Sequence, residues 1–365
     1  MKKTYFIKIL LTITLIFSMT ACDKEEKKVT IKEPGETIPV IDDTDKKEET
    51  GPAIAVDKID RYEKVSITDW LDENTVIASK ENETLDKMSL AELSQYYPRS
   101  LYLLDINTKE YKLLKEQKEV FLDGATLSGD RKYLLYSEYS LGDPAFYVMN
   151  LDTQEGFGIM GDPIGGAMSA KWADNNTVIG AAYSGGAYLA DRTGKIFVVD
   201  ELKEEALYLV EKMGDTIYYN TAYDGTLMKL DLKTGEKASL NLEQVYDILP
   251  SPDGKQLLIL QSKGAKSALL VYDPISGEQV TIAEGAQLNG ISWSPDQRRI
   301  AYQIKVDENN TTSGSLYVYD MLTGEPTQIA VDMEGLSTVW SLSGEKLAYT
   351  EWDGTQYNSN IIYFK

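Results

Sequence analysis

Ile291-Ser292-Trp293-Ser294-Pro295-Asp296, then Arg299-Ile300-Ala301-Tyr302, then Ser315-Leu316-Tyr317-Val318-Tyr319-Asp320, then Thr323-Gly324-Glu325, is one unit of a repeat. The stretch before it runs the same course: Leu249-Pro250-Ser251-Pro252-Asp253-Gly254-Lys255, Leu257-Leu258-Ile259, Leu269-Leu270-Val271-Tyr272-Asp273, Ser276-Gly277-Glu278. Tight turns punctuate each unit: proline presets φ, aspartate bonds its own backbone and glycine accepts φ > 0. Between the turns lie runs rich in β-branched and aromatic residues, alternating as in Leu316-Tyr317-Val318-Tyr319, which is the period of a strand. Aligned on the tryptophan position, the anchors are Trp70, Leu127, Trp172, about Val210, Pro250, Trp293 and Trp340, at intervals of 57, 45, 38, 40, 43 and 47 residues.

Each unit reads as four short strands, and a four-stranded unit of this length in series is the signature of a β-propeller blade. The fold class is all-β, a seven-bladed β-propeller; degenerate second to fourth units leave six or eight blades open. The Trp-Ser-Pro-Asp and Leu-Tyr-Val-Tyr-Asp-x-x-Thr-Gly-Glu pattern resembles the TolB-type, WD40-like propeller repeat, from Val65 to Lys365. The seventh unit has three strands of its own, ending at Ile361-Ile362-Tyr363-Phe364. An unpaired edge invites aggregation, so a fourth strand is expected from the N-terminal side, at Ala53–Val56 or Asp60–Lys64.

Ahead of the repeats, Lys2, Lys3 and Lys8 precede an apolar run, Ile9 to Phe17, and then Ser18-Met19-Thr20-Ala21-Cys22. A basic segment, a short apolar segment and small residues form a secretory signal, here 1–21, too short for a permanent span. Small residues directly before the only cysteine resemble a bacterial lipobox. That resemblance implies a diacylglyceryl thioether on Cys22, an extracytoplasmic location and attachment to the membrane through the lipid alone. Removing three lysines would take the net charge from -21 to -24. Residues 22–52 carry few apolar side chains and read as a disordered acidic linker, leaving 53–365 as the propeller domain.

Composition narrows the function. The chain has no histidine, one cysteine, and 58 acidic against 37 basic residues. No histidine-based triad, general base or histidine metal site can be built, and the charge repels nucleic-acid backbones. Propeller lyases and sialidase-type propellers rely on histidines or on boxes that this chain lacks, so an enzyme is not expected. No cofactor is expected either, although Asp307, Glu308 and Asn309 cluster oxygen atoms that could hold Ca2+.

In an up-and-down blade the second-to-third loops share one face. The long ones are Lys80 to Ser100 and Lys305 to Gly314, with medium ones at Asp353 to Ser359 and Tyr139 to Pro144. They form an overhanging rim, on which Tyr96, Tyr97, Phe146, Trp352 and Tyr357 are the candidate binding residues. Ser89-Leu90-Ala91-Glu92 has capping-box spacing for a short helix. Gly156 to Met168 is glycine-dense but lacks a phosphate-loop context, and reads as a tight turn between blades. The expected role is an interaction scaffold for an envelope protein or peptide. The alternatives are a carbohydrate-binding or carboxylate-dependent glycan-active propeller, and a ligand-sensing module for a membrane partner.

Overall fold

The computed structural model describes residues 54–308 and 311–365, and the paired strands Thr30–Glu33 and Glu36–Pro39, with backbone alone for those two strands and for 306–308 and 311–313. The expected signal, Cys22 and the rest of the linker lie outside the described residues. Contacts divide the chain into 1–52 and 53–365, and the second unit holds every repeat.

Strands account for nearly all of its regular structure. Repeats three to six each fold into a four-stranded antiparallel sheet with strands in chain order, as in Gln287–Trp293, Arg299–Glu308, Thr311–Asp320 and Glu325–Ala330. Repeats one and two make an eight-stranded sheet, linked by a single parallel bridge between Arg99 and Phe121. In the last sheet Ser337–Trp340, Lys346–Trp352 and Tyr357–Phe364 are joined by Val56–Tyr62, antiparallel to the C-terminal strand. The strand from the N-terminal side thus falls between and across the two segments named for it.

First strands end where the anchors lie, at Trp70, Leu127, Trp172, Pro250, Trp293 and Trp340, while Val210 lies inside Leu207–Met213. The next turn in repeats two, five, six and seven is built by one serine. Ser251 Oγ bonds Asp253 at 2.8 Å and accepts the Gln256 amide at 2.9 Å. Ser128 and Ser294 repeat this with Asp130 and Asp296, and with the amides of Tyr133 and Arg299. The third-to-fourth turns use an aspartate instead: Asp105, Asp231, Asp273 and Asp320 each accept the amides two and three residues on. Repeat aspartates are turn formers.

The core lies between sheets. Ile77, Leu101 and Leu122 join repeats one and two, Leu258, Leu269 and Trp293 join five and six, and Leu316, Trp340 and Ile362 join six and seven. A further cluster packs Ala348 and Ile361 of the last sheet against Ile67, Trp70 and Val76 of the first, so the packing returns to where it began. Each large apolar side chain buried there contributes roughly 1.5–3 kcal/mol. Polar stitches accompany the apolar ones. Trp70 Nε1 donates to Val339 O at 3.2 Å, and Trp172 Nε1 to Thr126 O at 3.0 Å.

Three expectations about loops are corrected. Lys305 to Gly314 is not a loop, because strand pairing continues through Glu308 and Thr311 and gives a long hairpin. Alternation of β-compatible residues up to Val306 and from Thr311 onward extends the ladder. Ser89-Leu90-Ala91-Glu92 does not form a capping box. The short helix is one 3-10 turn, Ala91–Leu93, without a side-chain cap, and Ser89 is drawn away by Glu119, whose carboxylate accepts both its amide and its hydroxyl at 2.8 Å. Gly156 to Met168 is not a turn throughout: Gly156–Gly158 is the outer strand of repeat two, and only after it does a small hairpin follow, Met160–Gly161 against Gly165–Gly166.

Candidate functional site

Three register pairs end at the same face of neighbouring sheets. Glu81 pairs with Arg99 where the 82–98 insertion leaves and rejoins repeat one. Phe121 pairs with Tyr139 at the edge of repeat two, and Trp352 with Tyr357 across the hairpin of the last sheet. Lys64 adds to them from the turn before Val65–Trp70, where φ is 57° and its amide donates to Asn358 Oδ1 at 3.0 Å. With Leu93, Gln95 and Tyr96 of the insertion and Thr355 and Gln356 of the hairpin, they line a cavity of about 480 Å³.

The insertion is held down firmly enough to serve as a wall. Met88 is buried and its amide bonds Tyr96 O at 3.1 Å, while Asn82 Nδ2 donates to Ser100 Oγ at 3.1 Å and Glu116 Oε2 at 3.0 Å. Tyr96 then stands edge-on to Phe121, centroids 6.4 Å apart, and Phe121 lies 5.5 Å from Tyr139. Opposite them Trp352 and Tyr357 are 4.9 Å apart. Tyr96, Trp352 and Tyr357 each keep a large exposed surface, as binding aromatics must.

Arg99 is the fixed charge of the site. Its Nε donates to Ser79 Oγ at 3.0 Å, and its Nη2 to Ser79 O at 2.6 Å and Ser66 Oγ at 3.1 Å. Asp123 lies behind it, Oδ2 at 3.9 Å from Nε. Burial pushes the Asp123 carboxyl up, and Arg99 offsets only part of this. Burial likewise pushes the Tyr139 hydroxyl up to about 12, with the Asp123 charge adding to it.

Of the five rim aromatics inferred from sequence, Tyr96, Trp352 and Tyr357 meet in this cavity and two do not. Tyr97 is half-buried beside it, 5.3 Å from Lys87 Nζ, with its amide towards Glu81. Phe146 packs against the core between repeats two and three, near Leu135 and Ile159. Of the metal candidates, Asn309 lies outside the described residues, and Asp307 and Glu308 sit in the long hairpin with backbone alone described. Among the described residues no group of three or more metal-ligating side chains occurs, and no helix is long and apolar enough to cross a membrane. Sequence reasoning missed Lys64, Glu81, Arg99, Phe121 and Tyr139. The one available signal was position, since Glu81 and Arg99 flank the insertion that was itself recognised.

No family model matches the sequence, and no curated protein matches it. Solved structures share its fold. An oligogalacturonate lyase in complex with manganese aligns over 84% of this chain and 91% of its own, at 13% identity and a TM-score of 0.61. The Cps50 (Swd1) β-propeller domain of Myceliophteria thermophila aligns over 86% and 100%, at 13% identity and 0.56. TolB from Acinetobacter baumannii aligns over 79% and 63%, at 14% identity and 0.46. The fold is that of the β-propellers.

Proposed function

We propose that this is a lipid-anchored, extracytoplasmic β-propeller of seven blades that binds a protein or peptide of the cell envelope, without catalysis, through the cavity lined by Tyr96, Trp352 and Tyr357. The observation that carries the reading is the convergence of exposed aromatic rings from the insertion and the last hairpin on one concave site. Buried aromatic contact is what gives partner surfaces their affinity. Seven anchors in the sequence and the return of the core packing from the last sheet to the first support seven blades.

The route of the chain fits an anchor. Val56–Tyr62 pairs with Tyr357–Phe364 such that Tyr62 faces Ser359 near the cavity and Val56 faces Phe364 at the far end. The start of this strand therefore lies about 20 Å along it from its cavity end, at six strand steps.

The test is capture from native envelopes by the wild-type protein, by Tyr96→Ala/Trp352→Ala, and by Tyr223→Ala as an exposed control remote in sequence. Wild type and control should capture the same protein or peptide, and the double variant should lose it while keeping its circular dichroism. Undiminished capture by the double variant overturns the proposal. In the same cells Cys22→Ser should leave the membrane fraction, and continued retention refutes the anchor.

A further inference from the structure

The Arg99 guanidinium is fixed on one side and free on the other. Three of its five N–H donors are committed through Nε and Nη2 to Ser79 and Ser66. Nη1 has no partner among the described residues, although the side chain is only 13% exposed and lines the cavity. Nη1 keeps two N–H donors in the lining of the cavity, and a charge-assisted hydrogen bond from it favours an anionic acceptor such as one oxygen of a carboxylate. Local charge agrees. In a chain of net charge -21, the cavity brings Lys64 and Arg99 together against Glu81 on its lining, with Asp123 3.9 Å from Arg99 Nε.

The aromatic walls restrict what may carry the carboxylate. Tyr96 and Phe121 are inclined at 82°, Phe121 and Tyr139 at 51°, and Trp352 and Tyr357 at 59°. Rings tilted in this way present both faces and edges against which an apolar side chain can pack. We infer that the cavity takes the free carboxy-terminus of a peptide, the terminal carboxylate on Arg99 Nη1 and the last apolar side chain between the Tyr96 and Trp352 walls. This rests on the peptide-binding reading above and narrows it to one end of the chain.

The experiment uses the purified protein, immobilised, and two pools of N-acetylated random hexapeptides in solution, one with free carboxy-termini and one with carboxamides. Charged hydrogen bonds of this kind are worth roughly ten- to a hundredfold in affinity. The free-carboxylate pool should be retained that much more strongly, with enrichment of apolar last residues. Arg99→Lys should erase the difference, and Tyr96→Ala should weaken retention without restoring the amidated pool. No variant is needed for the central comparison, so misfolding of an Arg99 variant cannot hide the answer. Equal retention of both pools overturns the carboxy-terminal assignment and leaves peptide binding standing. Failure of both pools overturns both, as does selective binding of glucuronate-containing oligosaccharides in a parallel arm.

Discussion

Ser359 and Thr350 are small, buried and polar, and they join the last sheet to the first. Ser359 Oγ accepts the Ile67 amide at 2.8 Å and donates to Val65 O at 2.9 Å, while Thr350 Oγ1 donates to Ile67 O at 3.2 Å. An amide left unpaired in such a place costs its full desolvation. Ser359→Ala is therefore expected to lower unfolding free energy by about 1–3 kcal/mol. The urea midpoint should fall with the slope unchanged, and an unaltered midpoint would show that water replaces the hydroxyl. Nothing in the sequence singled out Ser359, because its partners are 292 and 294 residues away. Arg99 was hidden for a related reason: its value as a site residue depends on Ser66 and Asp123, which lie on other strands of the eight-stranded sheet and are brought beside it only by strand pairing.

At the scale of elements, what was legible is what repeats. Ser-Pro-Asp and Asp-x-x-Thr-Gly are local hydrogen-bonding programmes, so turns and strand order could be read from spacing. Side-chain direction at strand ends could not. Phe146 and Tyr96 are both aromatics near loops, yet Phe146, opposite Ser137 in the register, turns into the core, and Tyr96, on the insertion, remains exposed. The distinction between loop and hairpin also escaped at Lys305 to Gly314, since the polar run Asp307 to Asn310 reads as a loop although alternation continues up to Val306 and resumes at Thr311. Lys305 and Gly314 face each other in the ladder, so residues 306–313 can be replaced by Asn-Gly, the dipeptide favoured in two-residue hairpins. Stability should change by less than about 1 kcal/mol, and ligand binding should persist because none of the described residues lining the cavity belongs to this hairpin. A large loss of melting temperature, or of binding, would give the hairpin a role that its place in the fold does not suggest.

Over the whole molecule, two populations of carboxylates pull stability in opposite directions with pH. Amides hold the turn carboxylates of Asp105, Asp231 and Asp273 below their ordinary value, and at Asp320 the amides and Arg298 outweigh an opposing effect of burial. Their stabilisation is complete above the unfolded carboxylate value of about 4 and is lost as pH falls through the lower folded values. Burial pushes Asp69, Asp123 and Glu211 the other way, only partly offset by Arg131, Arg99 and Lys171. For these the folded form holds its proton longer, so their contribution is largest at low pH and declines as pH rises from about 4 through the raised folded values. Repulsion among the charges behind the net -21 grows over the same range. The melting temperature should accordingly peak near about pH 5 and fall on both sides. Added salt should raise it more at pH 7.5 than at the peak, since screening relieves only the repulsion. Calorimetry from pH 3 to pH 8 decides the matter: a melting temperature that climbs steadily to pH 8 would mean that the buried carboxylates are ionised in the folded protein at no cost, with Arg99, Arg131 and Lys171 compensating them fully.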